Sequence, residues 1–426
     1  MKKIVTYLGI ALILFCSCSG GNKKANRTKS LSIDSLSTPI ASEESDGITQ
    51  IPLFDKCTNY DNRLSTVATE VEFINLETNS NCLLTDGITG IELTDEYIFI
   101  AEIGKVSQFD RKGNFIRRIG QTGRGPQEYI GVSAMQIDKE NRLIYILSGK
   151  LHGKLLVFNF DGKFIRNIHG NGIEYDFDLL DDGLIAIHCD ALERLQKGYK
   201  KLLFKDSLGN YINSHSSNIF PELTDGRKVH CFGPSRNWTW QYLDKLFFLE
   251  FGNDTIFQFE KMNLTPRFVL NGDQKLPALD LLLSKQGTDL GDKIFLTDEA
   301  ILNDNSAIFE SDNLLLFRCR SRNVNYFIVF NKQTNQFHST LQENTPRKKK
   351  MDYFTDDQIS GLAFNPQYQS SGRAISQIKA MDAYDQKKKI LDFIAAHPSE
   401  KGNKLKPIVE HISENDNPLL MIVQLN

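Results

Sequence analysis

Trp238, Trp240 and Tyr242 alternate along residues 237–242, so on an extended strand their rings share one side. Flat aromatic faces in a row suit stacking on a sugar ring or a peptide, and they equally suit packing between two sheets. Arg318, Arg320 and Arg322 alternate with Phe317, Cys319 and Ser321, which puts three guanidinium groups ~6.8 Å apart on one face. Such a row can hold a carboxylate-bearing ligand by bidentate contacts, or form a solvated face with local ion pairs. His188 and Asp190 flank Cys189 and share one side of a strand, an arrangement open to a proton relay or a metal. No second ligand pair has a recognisable spacing, so His188 is expected to be a hydrogen-bonded strand histidine, with neither metal nor cofactor called for. His215, His230 and His338 are equally isolated. The sequence contains no Gly-x-Ser-x-Gly elbow, HExxH helix or GxxxxGK[ST] loop. Adjacent acids such as Asp181-Asp182 and Asp356-Asp357 read as turn formers, and Lys348-Lys349-Lys350 as a solvated charge run.

What positions these groups is bounded by composition. The 426 residues carry 50 Lys and Arg against 53 Asp and Glu, a formal charge of -3, so no global basic field exists to bind nucleic acid through its phosphates. At 40% hydrophobic and 24% charged, the chain has the make-up of a folded globular protein. Lys2 and Lys3 precede the apolar residues 4–15, a run that fits a signal peptide and falls short of the ~20 residues needed to span a bilayer. Phe15-Cys16-Ser17-Cys18-Ser19-Gly20 follows and resembles a bacterial lipobox, with small Ser17 before Cys18 and Phe15 where the pattern prefers Leu. The resemblance implies removal of residues 1–17 and lipid attachment at Cys18, against the plainer reading of an ordinary secretory signal. Each buried acyl CH₂ contributes about 0.8 kcal/mol, so the lipid would hold the chain on a bacterial membrane without a spanning helix. Residues 18–58 lack a sustained apolar period and read as a flexible tether. An acidic run after the cysteine resembles a surface-export signal in Bacteroides-type lipoproteins. Asn22-Lys23-Lys24 is basic, so a periplasm-facing anchor in the cell envelope is expected. Cys57, Cys82, Cys189, Cys231 and Cys319 remain, an odd set without Cys-x-x-Cys spacing, read mainly as buried thiols.

A repeat decides the architecture. Phe109-Asp110-Arg111-Lys112-Gly113-Asn114-Phe115-Ile116 recurs as Phe160-Asp161-Gly162-Lys163-Phe164-Ile165 and as Lys205-Asp206-Ser207-Leu208-Gly209-Asn210-Tyr211-Ile212. Each is an apolar run, an Asp-containing turn with Gly, an aromatic and another apolar run, which is a β-hairpin by mechanism. Weaker copies place Phe268 and Phe337 in the aromatic position. Two further apolar runs precede each hairpin, predicting four strands per unit: 90–93, 97–102, 105–110 and 115–120 in the first, then 133–138, 143–148, 154–160 and 164–169 in the second. Such a blade cannot bury its faces alone, so blades must stack around an axis. Five units are visible, and residues 68–76 are expected to share a sixth blade with residues 418–425.

Gly123-Arg124-Gly125-Pro126 between the first two blades resembles the inter-blade turn of NHL-type six-bladed β-propellers. With the hairpins, and with Asn253-Asp254-Thr255-Ile256-Phe257 and Pro266-Arg267-Phe268-Val269, the chain resembles Bacteroides-type six-bladed β-propeller lipoproteins over roughly residues 60–426. The fold expected is all-β, a six-bladed β-propeller over residues 59–426 with a helical decoration in the last blade, about residues 382–414. A further short helix is expected within residues 273–299, beside the fifth blade. The function expected is a binding or protein-interaction module whose ligand is a protein, peptide or glycan, held at the channel mouth or loop face. The alternatives are a propeller hydrolase or lyase at the central channel, and a ring that only displays its C-terminal helices to an envelope protein.

Overall fold

The repeated hairpin is closed by its own side chain. Asp110 Oδ1 accepts the backbone N–H groups of Lys112 and Asn114 at 2.8 and 2.9 Å. Asn159 does the same for Asp161 and Lys163 at 3.1 and 2.9 Å, and Asp206 for Leu208 and Asn210 at 2.9 and 2.8 Å. These bonds bend the chain locally, before any partner blade is needed. The aromatic after the turn then packs edge-on against its cross-strand partner, Phe115 on Phe109 at 5.6 Å and Phe164 on Phe158 at 5.7 Å. Tyr211, expected in the same role, is 62% exposed, so the third hairpin relies on the turn alone.

The computed structural model describes residues 48–52, 62–149, 153–170, 174–180, 183–189, 200–216, 238–250, 253, 255–260, 262–271, 301–302, 308–321, 324–339 and 354–426. These all fall within one compact unit, residues 39–426. Cys18, the leader and the expected helix within 273–299 lie outside the described residues.

Among the described residues, six sheets of antiparallel strands follow one another as blades, with a separate two-stranded sheet, Phe354–Thr355 and Ala363–Phe364, ahead of the last. Blade I comprises Ile88–Leu93, Tyr97–Glu102, Lys105–Asp110 and Phe115–Ile119, and blade II Val132–Asp138, Leu143–Ser148, Lys154–Asn159 and Phe164–His169, both within two residues of the spans predicted from sequence. Blade III is Glu174–Leu179, Ile185–Cys189, Lys200–Lys205 and Tyr211–Ser216; blade IV is Trp238–Tyr242, Lys245–Leu249, Thr255–Glu260 and Asn263–Asn271. In blade V, Ile301–Leu302 and Ile308–Glu310 share the inner place beside Leu314–Ser321, followed by Val324–Asn331 and Gln336–Ser339. Blade VI takes Tyr368–Ser370, Arg373–Ile378 and Leu419–Leu425 from the end of the chain and Ala68–Asn75 from its beginning. Those terminal strands pair antiparallel from Ala68 opposite Leu425 to Asn75 opposite Leu419, as expected.

Successive side chains on a strand point to opposite faces, so each central strand feeds two interfaces. Leu419, Met421 and Val423 pack into the blade V/VI core, while Leu420 and Ile422 pack into the VI/I core. Four further cores join the remaining neighbours. Phe99 and Ile119 meet Phe158 between I and II, and Leu155 meets Phe177 between II and III. Phe204 meets Phe248 between III and IV, and Trp240 meets Phe317 between IV and V. Six interfaces for six blades close a ring. Buried Asn417 locks the join: its Oδ1 accepts Leu84 N–H at 2.7 Å, and its Nδ2 donates to the carbonyls of Glu77 and Cys82 at 2.6 and 3.0 Å. Cys82 itself is a buried free thiol, as read from sequence.

The decoration sits between the second and third strands of blade VI. It consists of helices α1 (Ala380–Asp385), α2 (Lys387–Ala396) and α3 (Glu400–His411), with Ser399 Oγ capping α3 by accepting Gly402 N–H. Ala383, Ile390, Ile394, Leu405 and Val409 turn inward and extend the V/VI core. Among the described residues no helix is long and apolar enough to cross a membrane. One element departs from the sequence reading: Thr49–Pro52, assigned by composition to the tether, forms a fifth strand on blade IV, parallel to its outermost strand. Its four residues are too few to show a strand period.

Candidate functional site

The first strands of adjacent blades touch one another, I with II, II with III, IV with V and VI with I, and so surround the axis. Their C-terminal ends share one end of the ring, where every connection is short. The turns from first to second strand span only residues 94–96, 139–142, 180–184, 243–244, 311–313 and 371–372. The connections that leave and return at the other end include 76–87, 120–131, 190–199, 217–237, 272–300 and the helical 379–418. The ring is therefore two-faced.

At the short-turn end, separate blades place polar groups side by side. Glu92, at the end of the first strand of blade I, accepts a hydrogen bond from Ser370 Oγ of blade VI at 2.6 Å. Ser371 Oγ next to it donates to the Leu93 carbonyl at 2.7 Å and receives Lys139 Nζ of blade II at 2.6 Å. Burial pushes the Glu92 carboxyl up to about 7; the Ser370 bond and the charge of Lys139 oppose the shift, and the charge of Asp178 in blade III adds to it. Glu92 keeps partial solvent exposure while protein crowds it on most sides. Further along the axis, on the second strand of blade III that runs toward 190–199, His188 Nε2 meets Asp178 Oδ2 at 2.8 Å and Thr239 Oγ1 of blade IV at 3.3 Å. Burial disfavours the charged imidazole, but the Asp178 hydrogen bond and charge, with Asp176 behind, outweigh it and hold its pKa above the ordinary value. Gln241 Nε2 of blade IV donates to the Leu179 carbonyl of blade III. The short-turn end of the axis thus carries a carboxyl poised near neutrality with Lys139 beside it, and Asp178 reaches from there to His188 further along.

Perturbed titratable groups gathered in this way are the usual mark of a binding or reactive site. Sequence spacing could not reveal the cluster, because Glu92, Lys139 and Asp178 belong to three blades. The available signal is local: one acid interrupts an apolar inner strand in Ile91-Glu92-Leu93 and again in Phe177-Asp178-Leu179. Among the described residues, no three His, Cys, Asp or Glu side chains converge to hold a metal ion.

The residues singled out by sequence lie elsewhere. Trp238 and Trp240 are 8% and 5% exposed and fill the blade IV/V core, so their faces are not open to stack on a ligand. Both faces of a blade are buried against neighbours, which is why a strand-alternating aromatic pair here becomes core. Trp240 Nε1 donates at 2.7 Å to Glu310, a buried carboxylate that also binds Arg267 at 2.9 Å and Lys332 at 3.1 Å. Tyr242 alone of that series reaches the surface, donating its hydroxyl to Asp312 Oδ1 at 2.5 Å with Lys332 over its ring. Arg318 and Arg320 lie on Leu314–Ser321, where Leu315 and Phe317 face blade IV and Leu314 and Leu316 face blade VI. Alternation puts Arg318 on the blade VI side, so the fold does not bring it to the tryptophans. Arg318 is half-buried; the Arg320 side chain and all of Arg322 lie outside the described residues, as does Asp190. The Gly123–Pro126 turn serves structure: Glu128 folds back to accept Gly125 N–H at 2.7 Å, and a Cβ on Gly123 would meet that carboxylate at 1.9 Å.

A second concavity, an open cleft of about 600 Å³, lies on the rim where the closing strand Ala68–Asn75, the blade I turn at 111–114 and α3 meet. Glu72 pairs there with Arg111 at 2.8 Å, beside Phe73 and Ile408.

Comparison with known proteins adds fold and family. The model of a family described as "Domain of unknown function (DUF4934)" matches residues 48–424. No curated protein matches the chain. A solved structure described as a "Putative exported protein" from Bacteroides fragilis NCTC 9343 is 18% identical, with a TM-score of 0.66 over 89% of this chain and 99% of that one. A "protein of unknown function" from Bacteroides caccae is 12% identical, with a TM-score of 0.34 over 55% of this chain and 72% of that one. At such identities the first likeness speaks for the six-bladed fold alone.

Proposed function

We propose that this chain, which belongs to the DUF4934 family, works as a lipid-anchored β-propeller of the cell envelope that binds a protein, peptide or glycan ligand at the short-turn mouth of its axis. The observation that carries the reading is the convergence of Glu92, Lys139, Asp178 and Ser370 from four different blades. Groups of opposite charge and a carboxyl that can donate or accept suit a ligand with both amine and carbonyl or hydroxyl functions. Cys18 after Ser17 supports the anchor, and the basic start of the tether supports a periplasm-facing site. The Gly-x-Gly-Pro turn and repeated hairpins support NHL-like repeats. That the first solved structure compared is described as an exported protein agrees with this placement.

The anchor is tested by palmitate labelling in cells: Cys18→Ala should abolish incorporation while Cys16→Ala leaves it intact, and the reverse pattern refutes the assignment. The site is tested by thermal-shift titration of the purified full chain against peptides and oligosaccharides. Binding should disappear in Lys139→Ala and weaken in Glu92→Ala. Turnover of a glycan, ester or peptide that either change abolishes would instead favour the second reading, a hydrolase or lyase. That reading has one observation behind it, since a carboxyl held near neutral pH is suited to general acid–base work.

A further inference from the structure

We propose that the outer edge of blade IV is an acceptor site for an extended peptide bearing one branched aliphatic side chain, and that Thr49–Pro52 occupies it in cis as a displaceable latch. Blade IV is complete without this segment, having the four antiparallel strands of its neighbours. The fifth strand pairs parallel, with Thr49, Gln50, Ile51 and Pro52 opposite Phe268, Val269, Leu270 and Asn271. Within the blades every other pair is antiparallel, as hairpins and terminal closure require. A short parallel strand on a finished sheet edge is how peptide ligands add to sheets, with main-chain bonds giving affinity and side-chain pockets giving choice.

The pocket here is explicit. Ile51 is 0% exposed; opposite Leu270 and diagonal to Phe268 on the acceptor strand, it joins the outer part of the blade IV/V core. Pro52, which lacks an N–H, ends the ladder after four residues. The next described residues are fixed to residues 354–364, which lead into blade VI and pack in the V/VI core: the Asn62 carbonyl accepts Thr355 N–H at 2.7 Å, and Ser65 binds Asp357 through its N–H at 2.9 Å and its hydroxyl at 2.6 Å. Residues 48–52 therefore hold blade IV and residues 62–66 the V/VI core, before the chain enters the ring at Ala68. The family match begins at residue 48, so the latch lies within the matched stretch. A contact of four residues holding one buried side chain is the kind that opens locally while the ring stays folded. The proposal stands apart from the axial mouth and from the lipid.

Hydrogen exchange read by mass spectrometry on the full chain tests it. In Ile51→Asp, amides of Asn263–Asn271 should exchange roughly tenfold faster or more, with blades I and II unchanged. Ile51→Ala should show a smaller increase in the same segment. A synthetic peptide of residues 46–54, added to Ile51→Asp protein, should restore the protection saturably, and the same peptide carrying Ile51→Asp should not. Unchanged exchange at 263–271 in both variants, acceleration spread evenly over all blades in both, or a wild-type peptide that protects nothing would each overturn the proposal.

Discussion

Gly113 and Gly162 occupy the same place in successive hairpins, with φ of +90° and +78°, yet the ring asks different things of them. A Cβ on Gly113 would sit 2.0 Å from the Asn75 carbonyl oxygen, at the end of the closing strand, and Gly113 O accepts Glu77 N–H at 2.8 Å. A Cβ on Gly162 would lie 3.4 Å from its nearest neighbour, the Arg118 carbonyl, an ordinary contact. Placing alanine in the left-handed region costs about 1–2 kcal/mol at either site. At Gly113 the backbone must also move by about 1 Å, which adds about 1–3 kcal/mol of overpacking, and losing the Glu77 bond adds about 1 kcal/mol. Gly113→Ala should therefore cost about 3–6 kcal/mol and Gly162→Ala about 1–2 kcal/mol, measured by urea unfolding with a common slope. Gly209→Ala should fall between, because its Cβ would meet only the Ile168 methyl at 2.7 Å, and a side chain can give way. Equal losses at Gly113 and Gly162 would refute the claim that the blade I turn is pressed against blade VI.

Glu92 should give stability a pH dependence of its own. With the folded pKa raised from 4.5 to about 7, the folded state holds the proton longer than the unfolded chain. Stability then falls as pH rises from about 4.5 to about 7, by at most about 3 kcal/mol. Glu92→Gln should remove that decline, so urea midpoints of the variant and wild type should diverge at pH 8 and converge at pH 4.5; parallel profiles would contradict it. Glu310→Gln should cost about 3–5 kcal/mol, since it leaves Arg267 and Lys332 without their shared buried carboxylate, and it should alter Trp240 fluorescence. A loss under ~1 kcal/mol would mean that the cluster does not hold blades IV and V together.

The fold was legible because it is repeated. Asp110, Asn159 and Asp206 close turns by a local mechanism that a linear pattern records, and the apolar runs around them, such as Ile98–Ala101 and Leu155–Phe158, mark strands buried on both faces. Closure was legible because residues 68–76 and 418–425 are strand-like runs left over, at the two ends of the folded chain, from the five units visible in the sequence. The site was not legible in the same way. The shared side of Trp238 and Trp240 follows from alternation, but whether that side is open depends on blade V, which supplies Glu310 and Phe317 some 70 residues later. Glu92, Lys139 and Asp178 meet only when blades I, II and III are set around a common axis, so no spacing encodes them. Thr49–Pro52 escaped notice for the opposite reason: what makes Ile51 a core residue is a pocket formed wholly by other parts of the chain.

The central claim is a ring closed by the two ends of the folded chain, and a cross-link tests it most directly. Glu70 and Gln424 are register partners at the exposed edge of the closing pair. Facing residues in adjacent strands have Cα atoms about 4.5–5.5 Å apart, within disulfide range. The double variant Glu70→Cys, Gln424→Cys should form that bond under mild oxidation of the folded protein. Mass spectrometry should find the two peptides joined, and the unfolding midpoint should rise on oxidation and return on reduction. Cysteines that stay apart until the protein is unfolded would contradict the closed ring.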